Sequence, residues 1–166
     1  DKPAYVRNRP LLGNTYQNGY PLDKKCRVLL SVDDWVGDVV QDLKDQGRYE
    51  NTIFIFTSDN GMGWGSHRWL FKFAPHTTQM PLYVSWPKVH GGSFTQTKML
   101  LSNVDLAPTL CELAGCEMGP FNNGYPIDGK SFAGLIAPDI SSSIPDRNAI
   151  IIERAIDTEN TVPRWR

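Results

Sequence analysis

The sequence predicts an α/β protein built on a mostly parallel sheet flanked by helices. Leu29, Val32, Val36, Val39, Val40 and Leu43 recur at three- and four-residue steps, laying one apolar stripe along a helix. Gly47 stops that helix. Arg48–Asn51 then turns the chain into Thr52-Ile-Phe-Ile-Phe-Thr57, an apolar run of strand-favouring residues. Helix, tight turn and fully apolar strand form half of a βαβ unit, which implies a parallel sheet with covered faces.

The chain has 166 residues, and we read 1–166 as one partial domain of ordinary composition, 40% apolar and 21% charged. Residues 1–21, rich in Pro, Gly, Asn and Tyr, read as an irregular N-terminal segment. The striped helix spans about Asp23 to Gln46. The strand Thr52–Thr57 follows, then a long loop over 58–80 of the kind that usually carries function. Met80–Trp86 is a second strand, with Pro81 at its entry where a missing donor is tolerated. Val89–Thr97 is a turn region. Asp105–Gly115 has helix punctuation: Asp105 can cap, Pro108 falls in the first turn and Gly115 closes. The Leu106, Leu110 and Leu113 stripe reads as core packing. Residues 116–147 are loop-rich, with a helical turn at Lys130–Ile136, and Asn148–Glu153 is a third strand.

Net charge is −1 with no basic run, so the chain has no electrostatic footprint for nucleic acid. No apolar stretch approaches the roughly 20 residues of a membrane span. The chain opens on Asp1 without a Met, so its true beginning is expected upstream. Cys26, Cys111 and Cys116 form no metal or redox motif. Cys26 and Cys111 fall on apolar helix patterns and read as small core residues, whereas Cys116 could pair with another cysteine.

The chemistry concentrates where the first strand ends. Open α/β sheets hold ligands beyond the carboxyl ends of their strands. Asp59 and Asn60 stand there with oxygen donors suited to a hard cation, and His67 and Lys72 follow with a proton-transfer group and a fixed positive charge. Blander readings exist for each. Asn60-Gly61 is also a hairpin signal, and His67 and Lys72 taken singly would be ordinary surface residues. Trp64 and Trp69 could stack on a sugar ring, but anchoring a long loop is the simpler role. Asp33 and Asp34 are consecutive on a helix and diverge, so they make no catalytic pair.

Ser58-Asp-Asn-Gly61, Gly65-Ser-His67 and Lys72 together resemble the downstream half of a sulfatase of the alkaline phosphatase superfamily. Ser31-Val-Asp-Asp-Trp-Val-Gly37, Asn51–Asn60, Pro81–Pro87, Ser102–Leu110 and Asp128–Phe132 follow in that family's order. The resemblance covers most of Arg27 to Glu153 and implies a partial alkaline-phosphatase-like fold. It makes Asp59 and Asn60 ligands of a divalent metal, usually calcium, with magnesium the alternative. It makes Lys72 a contact of the sulfate group and His67 a residue on the leaving-group side.

Departures from the family pattern are equally specific. The family attacks with a formylglycine made in a Cys-x-Pro-x-Arg motif, and no cysteine here lies in that context. The first pair of metal-binding aspartates and an upstream histidine also precede the matched segment. The resemblance therefore implies a downstream portion, inactive by itself. Between Lys72 and Pro81, the family's usual Tyr-Glu pair and Arg are missing. The implied substrate is a sulfated small molecule or carbohydrate, and the implied location is periplasmic, secreted or lysosomal. A phosphoester or phosphonate hydrolase is the rival within the superfamily; the Asp-Asn pair leans toward sulfate. A noncatalytic remnant or interaction module is the rival outside it. An incomplete sheet exposes apolar edges, so the expected partner is a second copy or the missing N-terminal half.

Overall fold

The computed structural model describes residues 4–9, 22–64, 66–68, 70–72, 77–120 and 124–152. The chain divides into two compact units, one of Asp1–Thr52 with Phe56–Tyr83 and one of Ile53–Ile55 with Val84–Arg166.

In the first unit, a single helical turn, α1 (Ala4–Arg7), lies inside the segment expected to be irregular. Val6 on it is buried, at 6% exposure. A single helical turn is too short to register as periodicity in the sequence. Helix α2 (Leu22–Asp45) matches the expected span within a residue at each end. Its stop is a Schellman motif: Gly47 takes φ 66°, its N–H donates to Lys44 O, and that of Arg48 donates to Leu43 O at 2.8 Å. A 3-10 turn at Tyr49–Asn51 follows, and Thr52 Oγ1 donates back to Arg48 O at 2.9 Å. Lys44 Nζ sits 4.9 Å from the Tyr49 ring centroid, a cation–π contact across the turn.

The α2 stripe is formed but only partly covered: Val32, Val39, Val40 and Leu43 are half-buried, whereas its N-terminal part is not covered. Leu29 is 56% exposed, and Val28, Leu30, Trp35 and Val36 are exposed as well. Cys26, expected in the core, is an exposed free thiol on this helix. Periodicity reports which face is apolar. It does not report whether another element lies against that face.

Strand β1 (Phe54–Thr57) pairs with β4 (Leu82–Ser85), and β2 (Gly63–Trp64) with β3 (Leu70–Phe71). The β2–β3 pair is antiparallel, with Gly63 opposite Phe71 and Trp64 opposite Leu70. The expected long loop over 58–80 thus contains a hairpin. The described residues form two two-stranded sheets rather than one broad parallel one. Residues 148–152 form no strand, and Ile151 is 89% exposed; Glu153 lies outside the described residues. An apolar run becomes a strand only when a neighbour completes its ladder.

The second unit has the better-developed core. Pro87 opens the short helix α3 (Pro87–His90), and Gly91 closes it at φ 52°. His90 Nδ1 accepts the Trp86 N–H at 3.0 Å, which leaves Nε2 to donate to Ile136 O at 2.9 Å. Trp86, Phe132, Ala133, Ile136 and Ala137 are buried. Helix α4 (Leu106–Leu113) follows a 3-10 turn at Asn103–Asp105, and α5 (Ala133–Ile136) falls within the expected Lys130–Ile136 turn.

Two expectations about α4 are overturned. The deeply buried residues are Thr109 on α4 and Asp105 just before it, while Leu110 is exposed. The reason is hydrogen bonding: Thr109 Oγ1 donates to Asp105 O at 2.6 Å and accepts the Phe132 N–H at 2.9 Å, so the polar side carries the docked chain. Cys111 is not a plain core residue but is disulfide-bonded to Cys116.

Candidate functional site

All four residues singled out by the sequence belong to the first unit. Strand β1 ends at Thr57, whose Oγ1 donates to Pro81 O at 2.9 Å. Ser58 then makes the bend: its Oγ donates to Asn60 O at 2.9 Å and lies 3.4 Å from Asp59 Oδ1. A short hydroxyl that bonds nearby backbone competes with the ladder and ends the strand. Asp59 is left exposed just past the strand end, with Asn60 half-buried behind it.

The hairpin brings Lys72 back to this bend. With Gly63 opposite Phe71, the next rung sets Lys72 level with Met62, two residues beyond Asn60. The result is a direct contact: Lys72 Nζ donates to Asn60 Oδ1 at 3.1 Å. Asn60 Nδ2 meanwhile donates to Gly61 O at 2.9 Å, which fixes which way the amide faces. Gly61 is buried, and the carbonyls of Thr77 and Gln79 occupy the space a side chain would need.

His67 is placed elsewhere on the hairpin, in the Ser66–Arg68 turn between β2 and β3. Its backbone is left-handed, at φ 56° and ψ 25°, and Arg68 follows at φ 58°. Positive φ therefore occurs at His67 and Arg68, not at the Asn60-Gly61 pair where a hairpin signal was read. Of Trp64 only the backbone is described, and Trp69 lies outside the described residues.

The arrangement supplies a carboxylate, an amide oxygen and an ammonium at one bend. Calcium takes carboxylate and amide oxygens, so the donor types of Asp59 and Asn60 fit a hard cation, but as only part of a shell. Among the described residues, no three His, Cys, Asp or Glu side chains cluster to hold a metal. Asn60 Oδ1 has two lone pairs, so accepting from Lys72 leaves it one acceptor direction. Asp59 and Lys72 are both exposed, which keeps the field between them weak until a ligand excludes water.

Sequence reasoning gave Ser58 no role beyond its place in the motif and passed over Arg68. Arg68 Nη1 donates to the carbonyls of Arg7 at 2.9 Å and Arg9 at 2.6 Å. Backbone acceptors some sixty residues upstream leave no signature in residue types, so nothing in the sequence could have announced this bond.

A family model described as Sulfatase matches residues 5–116. The chain is similar to N-acetylglucosamine-6-sulfatase of Bos taurus, 32% identical over 136 residues, covering 78% of this chain and 22% of that protein. It is similar to N-acetylglucosamine-6-O-sulfatase of Bacteroides thetaiotaomicron, 33% identical over 115 residues, covering 68% of this chain and 20% of that one. An arylsulfatase of Volvox carteri is 32% identical over 156 residues, covering 88% of this chain and 23% of its own length. The chain thus spans between a fifth and a quarter of these curated relatives.

Proposed function

The chain belongs to the sulfatase family, and on that footing we propose that it contributes part of a sulfuric ester hydrolase site in the whole protein. The observation that carries this reading is the contact of Lys72 Nζ with Asn60 Oδ1 at 3.1 Å, beside Asp59 and past the end of β1. It joins a positive charge to oxygen donors just past the carboxyl end of a strand, the side on which α/β folds commonly bind ligands.

Lys72 has the chemistry to hold an ester sulfate. Its ammonium is compact and strongly charged, and the amide it now contacts is a neutral acceptor. Sulfate oxygens are charged acceptors and form the stronger bond, so substrate would draw Lys72 from Asn60. As the ester bond breaks, negative charge grows on the sulfate and leaving oxygens, and a fixed cation stabilises it. His67 is assigned to the leaving-group side, where an imidazole can give a proton. Asp59 and Asn60 would hold a divalent cation, calcium by donor type with magnesium the alternative. Such a cation, when bound, supplies Lewis-acid stabilisation of sulfate oxygens.

The substrate class is a sulfated small molecule or carbohydrate, which accords with the N-acetylglucosamine in two relatives' names. The Cys111–Cys116 disulfide suits an oxidising setting, and so a periplasmic, secreted or lysosomal one. No helix among the described residues is long and apolar enough to cross a membrane. The present chain has no Cys-x-Pro-x-Arg nucleophile motif, and we expect no turnover from it alone.

The test is Lys72→Met in the whole protein, assayed on an aryl sulfate and an aryl phosphate. The expected loss in kcat/KM on the sulfate is about 10²–10³-fold, as for removal of one charge-stabilising donor. Unchanged sulfate turnover, or a preference for phosphate, would sink the reading.

A further inference from the structure

The hairpin turn holds two consecutive non-glycine residues in the left-handed region, His67 at φ 56° and Arg68 at φ 58°. A side chain there crowds its own backbone, and such residues persist only where the surroundings hold them. Arg68 is itself the anchor. Its Nη1 donates to the carbonyls of Arg7, the last residue of α1, and of Arg9. Carbonyls at a helix end lack partners within the helix, and a planar guanidinium suits two acceptors set side by side. The other side of the tie is secured as well, because Val6 buries α1 in the same unit.

We propose that Arg68 is a positioning residue: by tying the turn to the carbonyls of Arg7 and Arg9, it holds the left-handed backbone that sets where His67 stands. Segment 4–9 is then a structural part of the site, acting as the abutment for the turn. The inference rests on the assignment of His67 to the substrate side. Without Arg68 the turn relaxes toward ordinary backbone angles and His67 swings away from its place.

Residue-resolved amide hydrogen exchange on the whole protein, together with the His67 ring resonances, tests this. Arg68→Gln should lower protection of residues 4–9 by about tenfold. It should also move the His67 ring signals toward those of a freely rotating imidazole. Arg68→Lys keeps a charged donor and should recover at least half of the lost protection. Arg68→Gly makes positive φ easy but removes the tie, so residues 4–9 should lose protection as in Arg68→Gln. Wild-type protection and ring signals in Arg68→Gln, or wild-type protection in Arg68→Gly, would overturn the proposal. Exchange is read without substrate. A failed sulfate-site assignment, which turnover of Lys72→Met reports, is therefore distinguishable from a failed clamp.

Discussion

Arg147 donates through Nη2 to Asp105 Oδ1 at 2.7 Å, and the receiving carboxylate is wholly buried. The same oxygen accepts the Lys130 N–H at 2.8 Å, while Oδ2 accepts the Ser102 N–H at 2.8 Å. Three stretches of the second unit therefore converge on one side chain: the entry to α4, the approach to α5, and the segment after it.

Asp105→Asn keeps the shape but replaces one acceptor by an NH₂ group facing donors. It also leaves the Arg147 charge without its counter-ion. Removing one partner of a buried pair costs about 3–5 kcal/mol, because the other is stranded. Urea unfolding should show a lowered midpoint of that size at an unchanged slope. A loss under about 1 kcal/mol would mean that water reaches the carboxylate and that the convergence is incidental.

The end of α4 repeats the stop of α2 with a covalent addition. Gly115 N–H donates to Glu112 O and Cys116 N–H to Cys111 O, a Schellman motif with Gly115 at φ 72°. The two positions that usually share a hydrophobic contact there are Cys111 and Cys116, and they are bonded. Closing so short a loop restricts the unfolded chain by about 2 kcal/mol. Replacing both cysteines by serine should cost that much in urea. Reductant should shift the wild-type chain equally and leave the double variant unmoved.

How much of this was legible depended on how local each cause is. The bounds of α2 were readable because its stripe and Gly47 lie within the helix and one residue past it. The Lys72–Asn60 contact was foreshadowed by the ordered family motifs around it, not by the residue types taken singly; the hairpin that makes it was not, since two-residue strands carry no periodicity. The burial of Asp105 over Leu110 was illegible because its cause lies in the N–H groups of Lys130 and Phe132, which any sequence would supply. The exposure of Leu29 and Val36 on the α2 stripe makes the same point in reverse.

Glu112 gives the chain an acid-sensitive element. Hydrogen bonds from Ser131, Ser141 and Ser143 hold its carboxyl below the ordinary glutamate range, with desolvation opposing them. Ser143 Oγ donates at 2.7 Å, and Ser141 Oγ donates to the same oxygen. A carboxyl whose pKa is depressed on folding contributes stability that is complete above its unfolded value. That contribution is lost as pH falls through the folded one. Stability of the wild-type chain should therefore drop on acidification below the ordinary glutamate range, whereas Glu112→Gln should start lower and lose less over that window. Parallel acid profiles for the two chains would show that these serines do not favour the charged form.

Gly61→Ala and Gly37→Ala should move stability in opposite directions. A Cβ on Gly61 would stand 2.5 Å from the Gln79 carbonyl oxygen and closer still to that of Thr77. Both are backbone atoms and cannot swing aside, so either segment 77–79 or the bend carrying Asn60 must shift. Overpacking of that kind costs about 3 kcal/mol, and the shift should also separate Lys72 from Asn60. Gly37 sits within α2 with nothing near its absent side chain, so alanine there should stabilise by about 0.5–1 kcal/mol through helix preference alone. Thermal unfolding of the two variants beside the wild type checks both signs at once. A neutral Gly61→Ala would mean that residues 77–79 do not press on the bend, and that Lys72 reaches Asn60 without their support.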